Sequence, residues 1–206
     1  MQKTISVLII ATLFSLSIFG QTKKDSLYVF LGKKIEVVGF EQRHDSDEIL
    51  FDRAFKAKYQ VIQSLYGSYS KDTIEFEVYD HYGKPAFSQY DYVLLFVSKI
   101  NGKHYHEKYQ YFDVYKTKNG RWASGYKARD FGHSYNTNTN VKPEIIDFVD
   151  EISYDIRSRN KDEIKLIFPA PFYKIEDDKA IVIWGNYVEE LFELKKTGIL
   201  KARGIF

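Results

Sequence analysis

A short apolar run without polar alternation, Val93-Leu94-Leu95-Phe96 within Tyr92 to Val97, constrains this chain more than any other stretch. Rich in aromatic and branched residues, it suits a strand buried on both faces, which places it near the centre of the core. Two earlier stretches alternate instead. Phe55, Ala57, Tyr59 and Val61 are interleaved with Lys56, Lys58 and Gln60, and Ile74, Phe76 and Val78 with Glu75, Glu77 and Tyr79. That is the period of strands with one dry face and one wet face. The segment from Phe55 to Ser98 therefore reads as three strands of one β-rich body.

The remaining elements are placed around it. Leu27, Val29, Leu31, Ile35 and Val37, interrupted by Gly32, predict a long first strand bent at the glycine. Glu41 to Glu48 is a polar loop. Asn101-Gly102 predicts a tight hairpin, His104 onward the returning strand, Tyr109 to Tyr115 a further strand, and Asn119-Gly120 a second turn leading to Trp122. Five or six antiparallel strands by about residue 126 suit a small closed barrel of the oligomer-binding kind. Residues 130–142, alternating Asn with Thr, read as a linker or loop. From Pro143, the spacing of Ile145, Ile146, Val149, Ile152 and Ile156 predicts a helix. Ile164 to Phe168 and Ala180 to Trp184 predict strands, Asn186 the cap of a last helix with the stripe Val188, Leu191 and Phe192, and Ile199 to Phe206 a final strand. The tail is expected on the sheet of this second portion. The fold class is thus mainly β (β-rich α+β): an OB-like antiparallel barrel over 21–129, then a smaller helix-and-strand portion over 143–206 packed on it.

Lys3, the apolar run Ile5 to Phe19 and the small Gly20 have the form of a secretory signal peptide over 1–20. The run is shorter than the ~20 residues a spanning helix needs, so no membrane span is expected after cleavage. The predicted address is periplasmic or extracellular. Cysteine is absent, which removes disulfides, thiolate metal sites and cysteine nucleophiles together. The 30 basic and 28 acidic side chains nearly balance, and no basic block is dense enough to track phosphates, so nucleic acid is not an expected partner.

From Tyr28 to Ser98 the chain resembles the barrel of the family related to tissue inhibitors of metalloproteinases, which has exported bacterial members. The resemblance is carried by Val29-Phe30-Leu31-Gly32-Lys33, by Ala57, Tyr59 and Val61 leading to Leu65-Tyr66-Gly67, by Ile74, Phe76 and Val78, and by Gly83 leading through Phe87 to Tyr92-Val93-Leu94-Leu95-Phe96. It implies an oligomer-binding-type barrel. The family's inhibitory amino-terminal cysteine has no counterpart here, so inhibition by that route is not implied.

Two groups of residues could carry function. Tyr79, Tyr82, Tyr90, Tyr105, Tyr109 and Tyr111 could form an aromatic face for a protein, peptide or glycan, although rings on a barrel wall also pair for stability at roughly 0.2 to 1 kcal/mol each. His104 and His106, two apart on one strand face, have ligand spacing, and a metal-assisted hydrolase is the alternative reading if His81 or His133 folds close. No cofactor is implied. Asp130-Phe131-Gly132 copies a kinase tripeptide without the rest of that fold's motifs. The carboxylates at Asp45, Asp47 and Glu48, at Asp147, Asp150 and Glu151, and at Asp177-Asp178 sit where turns and helix starts use them. The reading is an exported soluble binding or interaction module.

Overall fold

The computed structural model describes residues 26–41 and 51–206. The segment read as a signal peptide, and most of the stretch read as a polar loop, with His44, lie outside the described residues. Strands β1 (Ser26–Phe40), β2 (Arg53–Tyr66), β3 (Thr73–Asp80), β4 (Tyr92–Ile100) and β5 (Lys103–Asp113) close into a barrel in the order β1-β2-β3-β5-β4. Four of its contacts are antiparallel, and β3 meets β5 in parallel at Glu77 and Tyr105. This is an OB-like barrel. The long β1 serves two neighbours because it bends: its pairing with β2 shifts register at three places, one beside Gly32. A Cβ at Gly32 would come within 3.0 Å of the Phe30 and Tyr59 rings, so only glycine fits that approach.

The unbroken apolar run in β4 follows from having a covered outside as well as a closed inside. Val93, Leu95 and Val97 join Tyr59, Ile74, Phe76 and Phe87 in the barrel interior, Phe87 being supplied by a short 3-10 turn at Ala86–Gln89. Leu94 and Phe96 face the other way, with Leu27, Val29 and Leu31. All five residues from Val93 to Val97 are fully buried.

After β5 come β6 (Tyr115–Lys116), β7 (Trp122–Gly125), α1 (Ala128–Phe131), β8 (Glu144–Ile145), β9 (Ser153–Asp155), α2 (Lys161–Ile167), β10 (Tyr173–Glu176), β11 (Lys179–Val182), β12 (Trp184–Tyr187) and α3 (Val188–Lys195). They form two small sheets, β6-β7-β12-β8 and β10-β11-β9. The barrel proper ends at Asp113, and the Trp122 strand belongs to the first of these sheets. Residues 130–142 are not a bare connection, since Phe131 and Val141 pack on the cluster outside β4. Among the described residues no helix is long and apolar enough to cross a membrane.

Several predicted elements are corrected. The strands expected at His104 and Tyr109 are one strand, β5, interrupted by a bulge where Tyr109 takes φ 66° and the register with β4 jumps between Leu95 and Val97. The helix from Pro143 is extended chain: Ile146, Phe148, Ile152 and Ile156 are buried, whereas Ile145 and Val149, which a helical stripe required, are exposed. Ile145, Val149, Ile152 and Ile156 keep period 3.6, while Ile146, Phe148, Ile152 and Ile156 keep period two, and the second set is the one buried. Ile164 to Phe168 belongs largely to helix α2, whose start is fixed by a capping box in which Asn160 accepts from the Asp162 and Glu163 amides and Glu163 accepts from the Asn160 amide. Asn186 lies within β12, and the residue before α3 is Tyr187, which ends that strand. The final strand is also absent from the described residues, because the chain after α3 continues in helical turns through Leu200. Val188, Leu191, Leu194 and Leu200 share one cluster with Trp122 of the second portion's first sheet and with the outer faces of β1 and β4, so the tail meets that sheet as expected and also covers the barrel, which is what makes β4 apolar on both sides.

Candidate ligand-binding site

The end of β5 carries Tyr111 and Asp113, and β6 begins at Tyr115, a period-two series that puts one carboxylate between two tyrosines. Opposite it the second portion brings Tyr126 and Lys127 from the β7–α1 turn, Tyr154 from β9, Phe168 from the end of α2, and Tyr173 from β10. With Tyr90, and without Tyr115, which stands behind Asp113, these residues enclose most of a cavity of about 640 Å³ at the seam between barrel and second portion. That volume is in the range of small-molecule sites.

Asp113 is at its base, its side chain only 3% exposed. Lys127 Nζ lies 2.8 Å from Asp113 Oδ1. Tyr115 and Tyr154 donate their hydroxyls to Oδ2 at 3.1 and 3.2 Å, and Lys127 donates to the Tyr154 hydroxyl at 2.9 Å. A buried charge is tolerated only when paired and hydrogen-bonded, and this one is both. Burial acts against the Lys127 charge most strongly, but the charge of Asp113 and its hydrogen bond outweigh it, so the ammonium is held more firmly than in water. Burial, and then Asp113, push Tyr115 and Tyr154 well above the ordinary phenol range. Burial, then Tyr90 and Asp113, raise Tyr111 to about 12. At neutral pH the cavity therefore presents neutral phenols beside the fixed Lys127 ammonium.

A second buried pair, Lys195 with Asp130, closes the α3 side, where Lys195 Nζ also sits 4.8 Å from the Phe112 ring centroid. Arg129 and Arg159 line the cavity too. Both are exposed, and neither has a carboxylate partner among the described residues.

Comparison with family models, curated proteins and solved structures finds no match to this chain. Its site is accordingly read from geometry alone.

The six tyrosines singled out by sequence do not form one face. Tyr90 and Tyr111 meet in the cavity with ring centroids 6.4 Å apart, and Tyr109 stands at its edge. Tyr79 and Tyr105 pair 6.4 Å apart beside the β3–β5 contact, with the Tyr79 hydroxyl donated to Glu77. Tyr82, 86% exposed, leans on Tyr109 at 5.8 Å.

The histidines do not converge either. His104 and His106 are not at a solvated hairpin tip: His104 sits between Tyr28 and Tyr69, and His106 packs 4.7 Å from Phe87. His106 Nε2 lies 2.9 Å from the Gln110 carbonyl, so that nitrogen carries the proton and donates, holding the β5 bulge. Burial pushes its pKa down to about 4. His81 binds the Phe51 carbonyl, and His133 accepts from the Tyr135 amide. Among the described residues no three His, Asp or Glu side chains gather in ligand geometry.

Sequence reasoning did not single out Asp113, Lys127, Tyr126, Tyr154, Tyr173, Arg129 or Arg159. One sign was available: a carboxylate on the tyrosine side of a strand, flanked two residues away on each side by Tyr111 and Tyr115, calls for a cation. Which cation it finds depends on long-range folding.

Proposed function

We propose that this protein is an exported soluble binding module whose ligand occupies the seam cavity. The observation that carries this reading is the cavity's lining: aromatic faces together with hydroxyl donors and an ammonium, arranged round a carboxylate that is already saturated. Such a lining suits fixing and orienting a guest, because burial holds its phenols protonated well above neutral pH. The leader-like segment 1–20 supports export. Candidate partners are a protein, a peptide or a glycan, the last two through segments small enough to enter the cavity. The alternative, a metal-assisted hydrolase at His104 and His106, has no comparable support, since no third ligand gathers with them among the described residues.

A melting-temperature screen against sugars, short peptides and small organic acids tests the proposal. At least one class should raise the midpoint in a concentration-dependent way, by mass action on the folded state, and Tyr111→Ala should remove that rise. No rise with any class, or a rise unchanged in Tyr111→Ala, would overturn it.

A further inference from the structure

The charge of the seam cavity is not balanced. Asp113 is neutralised by Lys127, and Asp130 by Lys195, so the two carboxylates among its lining residues are both spent inside the wall. Arg129 and Arg159 remain, two exposed guanidinium groups on the same cavity without a carboxylate partner among the described residues. The Arg159 guanidinium lies 5.9 Å from the Phe168 ring centroid, so it borders an aromatic face. Guanidinium groups so placed favour a carboxylate or phosphate, which they can grip through two parallel N–H bonds.

The interior asks for something besides an anion. The Tyr90 and Tyr111 hydroxyls have no hydrogen-bond partner among the described residues, although both rings are half-buried on the cavity. A purely aromatic acid would cover the ring faces and leave these hydroxyls without partners. A sugar ring offers apolar C–H faces to the aromatic lining and a hydroxyl edge to Tyr90 and Tyr111. Taking the seam cavity as the ligand site, we propose that its ligand is an acidic sugar, free or at the end of a glycan, with its carboxylate on Arg129 and Arg159 and its hydroxyl edge on Tyr90 and Tyr111.

Titration calorimetry with glucuronate, galacturonate and N-acetylneuraminate, set against glucose, galactose and benzoate, tests this. At least one sugar acid should bind tenfold or more tighter than the neutral sugars and than benzoate, with an affinity that falls as salt rises. Arg129→Gln combined with Arg159→Gln should cut that affinity about tenfold and erase the salt dependence while the melting temperature stays unchanged. Tyr111→Phe should weaken the sugar acid without affecting benzoate. If no acid is preferred over the neutral sugars, or the double arginine variant binds as well as the parent, the proposal fails. If the wider screen then yields a neutral or peptide ligand that Tyr111→Ala abolishes, the seam cavity stands as a binding site and only the acidic-sugar assignment falls. If nothing binds in either experiment, both fall.

Discussion

Inside the barrel, Tyr59 is wholly buried against Phe76 and Phe87, and its hydroxyl finds no partner among the described residues. At the seam, Tyr115 and Tyr154 spend their hydroxyls on Asp113, while those of Tyr90 and Tyr111 are left available. The same side chain supplies volume in one region and directed polarity in the other. The barrel interior is accordingly a store of stability, and the seam holds polar groups that a core alone would not need. Buried carboxylate–ammonium pairs often contribute little net stability against apolar replacements of the same shape, so their presence at a cavity points to a use other than packing.

The largest effect expected is in the barrel. Leu95 is fully buried in its interior, and Leu95→Ala should cost about 4 kcal/mol in denaturant unfolding. A loss under about 1 kcal/mol would mean that the interior collapses round the missing side chain and is not the tightly packed region claimed here. At the seam, Lys127→Met removes one partner of a buried pair and should cost about 3 kcal/mol, Asp113 keeping only its two tyrosine donors. If Lys127→Met is neutral, Asp113 is hydrated in solution and the cavity base is wetter than its geometry implies.

The comparison of regions also governs what could be read in advance. β1 to β3 were legible because each is long enough for its apolar period to show, β4 because its apolar run is unbroken, and the turn after it because Asn101-Gly102 takes positive φ at both positions, as its hairpin requires. The second portion is built of strands of two to four residues, too short for a period to declare itself, and the spacing from Ile145 to Ile156 fitted two readings. For α2, the Asn160-x-x-Glu163 box was present in the sequence and outweighs the apolar run that suggested a strand. The site was less legible than the fold. Tyr90 and Tyr111 stood out, but Lys127, Tyr154 and Arg159 reach the cavity only after β7, β9 and the chain before α2 are folded against the barrel.

A pH experiment separates the regions in another way. Depression of the His106 pKa from 6.5 to about 4 means that the unfolded chain takes a proton that the folded chain refuses. Stability is therefore complete above pH 6.5 and is lost as the pH falls from there towards 4, by about 1 kcal/mol at pH 5.5. His106→Gln should remove this loss; equal acid sensitivity in parent and variant would place the imidazole in water. The smallest pair of effects is the most pointed. Tyr154→Phe should cost about 1 kcal/mol by depriving Asp113 of a donor, whereas Tyr59→Phe should be neutral or stabilise by a few tenths of a kcal/mol, since it deletes a hydroxyl that has no partner. Equal costs at the two positions would erase the distinction between the regions.

The seam cavity as a ligand site is tested most directly by mapping backbone amide shifts in an NMR titration with whichever compound stabilises the protein most. Saturable shifts should concentrate at Tyr90, Tyr111, Lys127, Tyr154 and Arg159. Shifts confined instead to a second groove of about 340 Å³ on the barrel, lined by Glu36, Lys58, Glu75, Lys103 and His104, would contradict it.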